Sequence, residues 1–184
     1  MTQLRADARR NRERILAAAE AVFAERGASA STEEVAARAG VAIGTVFRHF
    51  PTKNDLLGAI VKALLHRLTE EAERQAGAGA PETALFSFFT HVVEEAAARR
   101  TVAALLSGGG VDVRVDKPLS QLEEPVGTLL RRAQEAGAVR ADVRPDEVMA
   151  LLAAASQAAL LGGWTPDLRD RTLRIVFEGL GARG

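Results

Sequence analysis

Gly44 to Lys53, GTVFRHFPTK, places Thr45, Phe47, Arg48, His49 and Lys53 within one short stretch, directly after Ile43. Arg48 offers the planar fork that matches the O6 and N7 edge of guanine, and Ile43 is a side chain that meets a thymine methyl in a major groove. Lys53 stands where a helix start is expected, and a cation there opposes the helix dipole unless an anionic partner is nearby. This is the chemistry of nucleic-acid contact. Catalytic chemistry has no comparable set of residues. The chain has three histidines, His49, His66 and His91, no cysteine and no tyrosine, and no histidine and carboxylate group at metal-ligand spacing. The Gly108 to Gly110 run lacks the lysine of a phosphate loop, and no nucleophile elbow is present. The expectation is therefore a protein that is not an enzyme and calls for no metal or cofactor.

The elements around the stretch can be read locally. Ser31 and Glu34 fit a capping box, so a helix starts there. Val35, Ala36 and Ala39 share one face, small enough for a second helix to cross closely, and Gly40 suits the left-handed turn that ends a helix. From Ala42 to Phe50, Val46 and Phe50 recur at a spacing of four and form the core face. Gly44, Thr45, Phe47, Arg48 and His49 then lie on the outer faces. Pro51 interrupts this helix, and Thr52 with Asp55 starts the next.

Residues 9 to about 57 resemble the N-terminal domain of the TetR family of bacterial transcriptional regulators. RILAAAEAVFAERG, EEVAARAGV, GTVFRHF and PTKNDLL carry the likeness in order and spacing. The resemblance implies an all-α chain: a three-helix helix-turn-helix head on a helical body that dimerises and binds a small effector. It also implies that Thr45, Phe47 and His49 contact phosphates or bases and that Lys53 contacts phosphate. Ala42 departs from the family pattern, where a capping Ser or Thr is common, and Phe47 replaces a tyrosine that would offer its hydroxyl. Repression is the family's usual mode.

Arg5, Arg9, Arg10, Arg12 and Arg14 stand against Asp7 and Glu13 at the N-terminus. This is either an arm for phosphates or a minor groove, with Arg5 and Arg9 as its DNA contacts, or a disordered basic tail. The whole chain balances 24 basic against 24 acidic residues, which argues against blanket affinity for polyanions. Residues 1 to 62 hold ten Lys or Arg against seven Asp or Glu, so the head is the basic end. A chain without cysteine or a continuous apolar leader fits the cytoplasm.

About nine helices are expected, with the first over 9 to 26 and the fourth over 52 to 75. The rest fall over 82 to 99, 101 to 107, 119 to 136, 145 to 163 and 166 to 181, with Pro81, Pro145 and Pro166 in first turns. Pro125 either kinks its helix or begins it. The domains divide as 1–52, the head, and 53–184, the effector and dimerisation body. Val148 to Trp164 contains no charged residue yet is shorter than the roughly 20 apolar residues that span a bilayer, so no membrane association is expected.

A buried helix shared with a second copy is the better reading, as in the resembling family. The expected homodimer face comprises Leu151, Ala155, Ala158, Ala159, Gly162, Leu173, Val176, Phe177 and Leu180. It would set two recognition helices about 34 Å apart on a pseudo-palindromic, double-stranded operator. Phe86, Phe89, Leu105, Leu129, Met149, Leu152, Ser156 and Trp164 are the candidate lining of a pocket for a small, mostly apolar effector, and each could equally be plain core. Gly108 to Gly110 would be a flexible joint or a simple loop. The alternative class is a helical interaction protein, or a regulator whose head binds DNA only when a corepressor is present.

Overall fold

The computed structural model of the chain describes residues 2–108 and 119–182. Among them are nine α-helices: α1 (Thr2–Arg26), α2 (Thr32–Ala39), α3 (Ile43–His49), α4 (Lys53–Ala78), α5 (Pro81–Ala98), α6 (Arg100–Gly108), α7 (Glu123–Glu135), α8 (Pro145–Gly162) and α9 (Pro166–Leu180). Gly109 and Gly110 of the expected joint lie outside the described residues. No helix among the described residues is long and apolar enough to cross a membrane.

The helices form two compact units, Met1–Leu64 with Thr101–Val113, and Leu65–Arg100 with Arg114–Gly184. The division differs from a boundary at residue 52 or 53. Leu56, Leu57 and Ile60 of α4 are buried in the first unit's core, as are Val102 and Leu106 of α6. Nothing local in the sequence signals that α6 returns to the head. Ile15, Ala19, Val22 and Phe23 of α1, Val35 and Ala36 of α2, and Val46 and Phe50 complete that core.

Helix α1 begins at Thr2 and not near Arg9, so the basic segment is neither an extended arm nor a tail without structure. Its residues contain no Gly or Pro, and Arg10 pairs with Asp7 and Arg9 with Glu13, the latter at 3.2 Å. Such exposed pairs one turn apart support a helix by a few tenths of a kcal/mol each.

Both box motifs form. Glu34 N–H donates to Ser31 Oγ at 3.1 Å and Ser31 N–H to Glu34 Oε2 at 3.0 Å. Thr52 and Asp55 exchange the same two bonds at 3.0 and 3.1 Å. Gly40 takes φ +64°, which closes α2 without the strain a side chain would add. Ala42 holds an extended backbone at the head of α3 but supplies no side-chain cap. Ala42→Ser is expected to add about 1 kcal/mol, raising the melting midpoint by about 2–4 °C in a thermal scan.

In the second unit α5 packs chiefly against α8 and α7, burying Ala84, Leu85, Phe88, Phe89, Val92 and Val93. Pro81, Pro145 and Pro166 all occupy first turns. Pro125 falls in the first turn of α7, which follows a short 3₁₀ turn at Ser120–Leu122, so it starts the helix and does not kink it. From α7, Arg132 caps the end of α4, donating to the carbonyls of Gln75 at 2.9 Å, Ala76, and Gly79 at 3.0 Å. An antiparallel bridge between Val139 and Gly181 ties the end of α9 to the turn after α7, with Arg140 N–H donating to Leu180 O at 3.0 Å.

Candidate nucleic-acid interface

Helix α3 is seated by Val46, buried, and by Phe50 just beyond its end, whose ring carries the Arg12 guanidinium 5.2 Å from its centroid. Its other faces carry the residues that the sequence singled out. Ile43, Gly44, Phe47 and Arg48 are exposed, and Thr45 and His49 are half-buried. Arg48 makes no hydrogen bond or ion pair among the described residues, so its five N–H groups are available to a partner. His49 lies 6.3 Å from the Phe50 ring, tilted by 46°.

Two cations near α3 are tied into the fold. Lys53 Nζ donates to Ala30 O at 2.9 Å and sits 5.4 Å from the centroid of the buried Phe23 ring. It thereby binds the first turn of α4 to the segment before α2, while two of its three N–H groups stay available. Arg14 reaches from α1 to the carbonyls of Ala39 and, at 3.1 Å, Gly40, holding the turn that precedes α3. Neither role has a local signal in the sequence, because the partners lie 23 to 26 residues away.

Arg38 of α2 pairs with Glu25 of α1 at 2.6 Å, and that hydrogen bond holds the Glu25 carboxyl below its ordinary value against a smaller opposing effect of burial. Whatever stability it adds is present above the ordinary carboxylate range and is lost as pH falls through the depressed value. Arg9 pairs with Glu13 on the open surface, a contact worth under about 1 kcal/mol, so it can exchange for another anion. Arg5 lies within α1, but its side chain is outside the described residues.

The residues expected to line an effector pocket have different surroundings among the described residues. Leu105 packs against the first unit's core. Phe89, Leu129 and Leu152 are buried core, and Trp164 is half-buried, with its ring against Gly162. Ser156 is buried, and its hydroxyl has no hydrogen-bond partner among the described residues. Two cavities in the second unit take one each of the remaining candidates. Phe86 lines one of about 560 Å³ with Thr90, Leu173 and Phe177, rimmed by Asp170 and Arg174. Met149 lines another of about 530 Å³ with Leu119, Glu123 and Pro145. Phe177, expected at the dimer face, packs against Phe86 with ring centroids 4.9 Å apart and a 56° tilt, and edge-on against Phe89 at 5.5 Å.

The expected dimer face divides in the same way. Leu151, Ala158 and Gly162 are exposed on α8, whereas Ala155 is half-buried and Ala159 buried. On α9, Leu173 and Leu180 are buried within the chain and Val176 is half-buried, so the outward face is a different one. It carries Leu168 and Ile175, 49% and 71% exposed, matched on α8 by Leu151 and Leu161, 38% and 66% exposed. Helix α9 has two apolar stripes, the broader made of Leu173, Val176, Phe177 and Leu180 and the narrower of Leu168 and Ile175. The broader stripe turns into the chain, with Leu173 and Leu180 buried and Val176 and Phe177 half-buried, and its width is the signal for that.

Residues 15–60 match the family model described as bacterial regulatory proteins, tetR family. Residues 80–182 match that of the transcriptional regulator SbtR-like C-terminal domain. An HTH-type transcriptional repressor of Mycobacterium tuberculosis is 36% identical over 165 residues, covering 86% of this chain and 75% of that protein. The crystal structure of a TetR transcription regulatory protein from Mycobacterium vanbaalenii superposes with a TM-score of 0.77 at 37% identity, covering 97% of this chain and 99% of that one. SmeT, the repressor of a Stenotrophomonas maltophilia multidrug efflux pump, superposes in its triclosan complex with a TM-score of 0.64 at 26% identity, over 95% of this chain and 93% of that one.

Proposed function

The chain belongs to the TetR family of bacterial transcriptional regulators, and on that footing we propose how it acts. It is a cytoplasmic repressor that binds a pseudo-palindromic operator as a homodimer and releases it when a small, mostly apolar effector occupies the helical body. The observation that carries the DNA-reading part is the division of α3, with Val46 and Phe50 seating it while Ile43, Phe47 and Arg48, unpartnered among the described residues, face outward. Those faces bear the residue types that read base edges in a major groove.

The exposed stripe of Leu151, Leu161, Leu168 and Ile175 supports the homodimer, since four large apolar side chains on two helices need a cover. The effector part draws on the triclosan complex of SmeT and on the cavity beside Phe86 and Phe177. Aromatic walls with few polar groups suit a compact hydrophobic molecule. Effector and operator then oppose each other through the same coupling free energy.

Selection of duplexes from a random pool, followed by titration of the winner, tests this reading. A two-fold symmetric consensus is expected. Arg48→Ala should bind that consensus more weakly by about 1–3 kcal/mol, roughly 5- to 150-fold, and tolerate substitutions at one base pair of each half-site. An unselective pool would overturn the reading.

A further inference from the structure

Ile43 and Phe47 stand one turn apart on α3, 36% and 45% exposed. Among the described residues only four other large apolar side chains are exposed, and all four belong to the stripe on α8 and α9 assigned above to a second copy. The pair on α3 needs a different explanation. Between them in sequence stands Gly44, exposed, with nothing within 4 Å of where a Cβ would lie and no left-handed backbone. Neither conformation nor packing among the described residues calls for glycine there. A glycine inside a helix costs stability relative to alanine, and α3 has seven residues and no side-chain cap to offset it. The missing Cβ therefore serves something outside the chain that comes close to this face.

Base edges in the major groove present donors and acceptors, with one apolar group among them, the C5 methyl of thymine. Two apolar side chains pressed on the amino group of cytosine or adenine would leave it without water or a partner, which is costly. Pressed on a methyl they bury it. We infer that Ile43, Gly44 and Phe47 form a notch that receives a thymine methyl, so that one base pair of each operator half-site is read as T·A by contact alone. The inference rests on the DNA-reading role proposed for α3, and the neighbouring Arg48 continues the same surface.

The test replaces each thymine of the selected operator in turn by deoxyuridine, which removes the methyl and keeps every hydrogen bond. One thymine per half-site should respond, with affinity falling about fourfold for each half-site altered, the value of one buried methyl group. Gly44→Ala fills the notch. It should melt no lower than the parent chain, bind the thymine operator more weakly, and no longer distinguish thymine from deoxyuridine at that position. A selected operator with no deoxyuridine-sensitive thymine overturns the notch while leaving DNA reading intact. So does a Gly44→Ala chain that binds and discriminates as before. A pool in which no sequence is enriched overturns the DNA-reading role and the notch together.

Discussion

Glutamate at both Leu161 and Ile175 is expected to leave the chain folded but monomeric and to lower operator affinity by roughly 10²- to 10⁴-fold. That range is the gain two linked sites have over one. Both side chains are the most exposed of their helices' large apolar residues, so a carboxylate at either meets water in the single chain. In the proposed dimer the same carboxylate would be buried without a partner, at a cost of several kcal/mol. The surrounding Ala154, Ala158 and Gly162 are small and exposed, which lets two copies approach closely along α8. Light scattering and an operator titration read the two effects separately. A dimer that persists in the double variant would remove the stripe from the interface.

Phe23→Ala is expected to destabilise the head by about 3–5 kcal/mol, a large share of the roughly 5–15 kcal/mol that holds a domain together. Phe23 is fully buried among the residues of α1 to α4 and α6 that make up the first core. Truncating it also takes away the ring under the Lys53 ammonium, which then keeps only its bond to Ala30. Calorimetry should show the head's melting fall well below the parent's, and DNA binding should vanish with it. Phe47→Ala, on the exposed face of α3, should leave the melting curve almost unchanged.

What could be read from the sequence was local. Ser31 with Glu34, Gly40, Thr52 with Asp55, and the prolines at 81, 145 and 166 all act within a turn of where they stand, and each marks the element end it was expected to mark. The face of α3 followed from Val46 and Phe50 alone. What escaped was set by distant partners: Arg14 on the end of α2, Arg132 on the end of α4, α6 in the first core. An effector lining is not legible in the sequence for a related reason. Phe89, Leu129 and Leu152 have the same periodicity whether they face a cavity or a neighbouring helix, and all three are buried. On α9 two apolar stripes competed, and periodicity does not say which of them turns inward.

Arg14 also alters how the head looks to an approaching polyanion. Helix α2 ends at carbonyls that together carry about half a negative charge, and α3 begins only a few residues later. Left bare, that end would repel phosphates from the turn that leads into α3. A guanidinium on Ala39 O and Gly40 O cancels it and leaves the turn net positive. On the DNA-reading role proposed for α3, the charge of Arg14 favours the approach of a duplex to this turn.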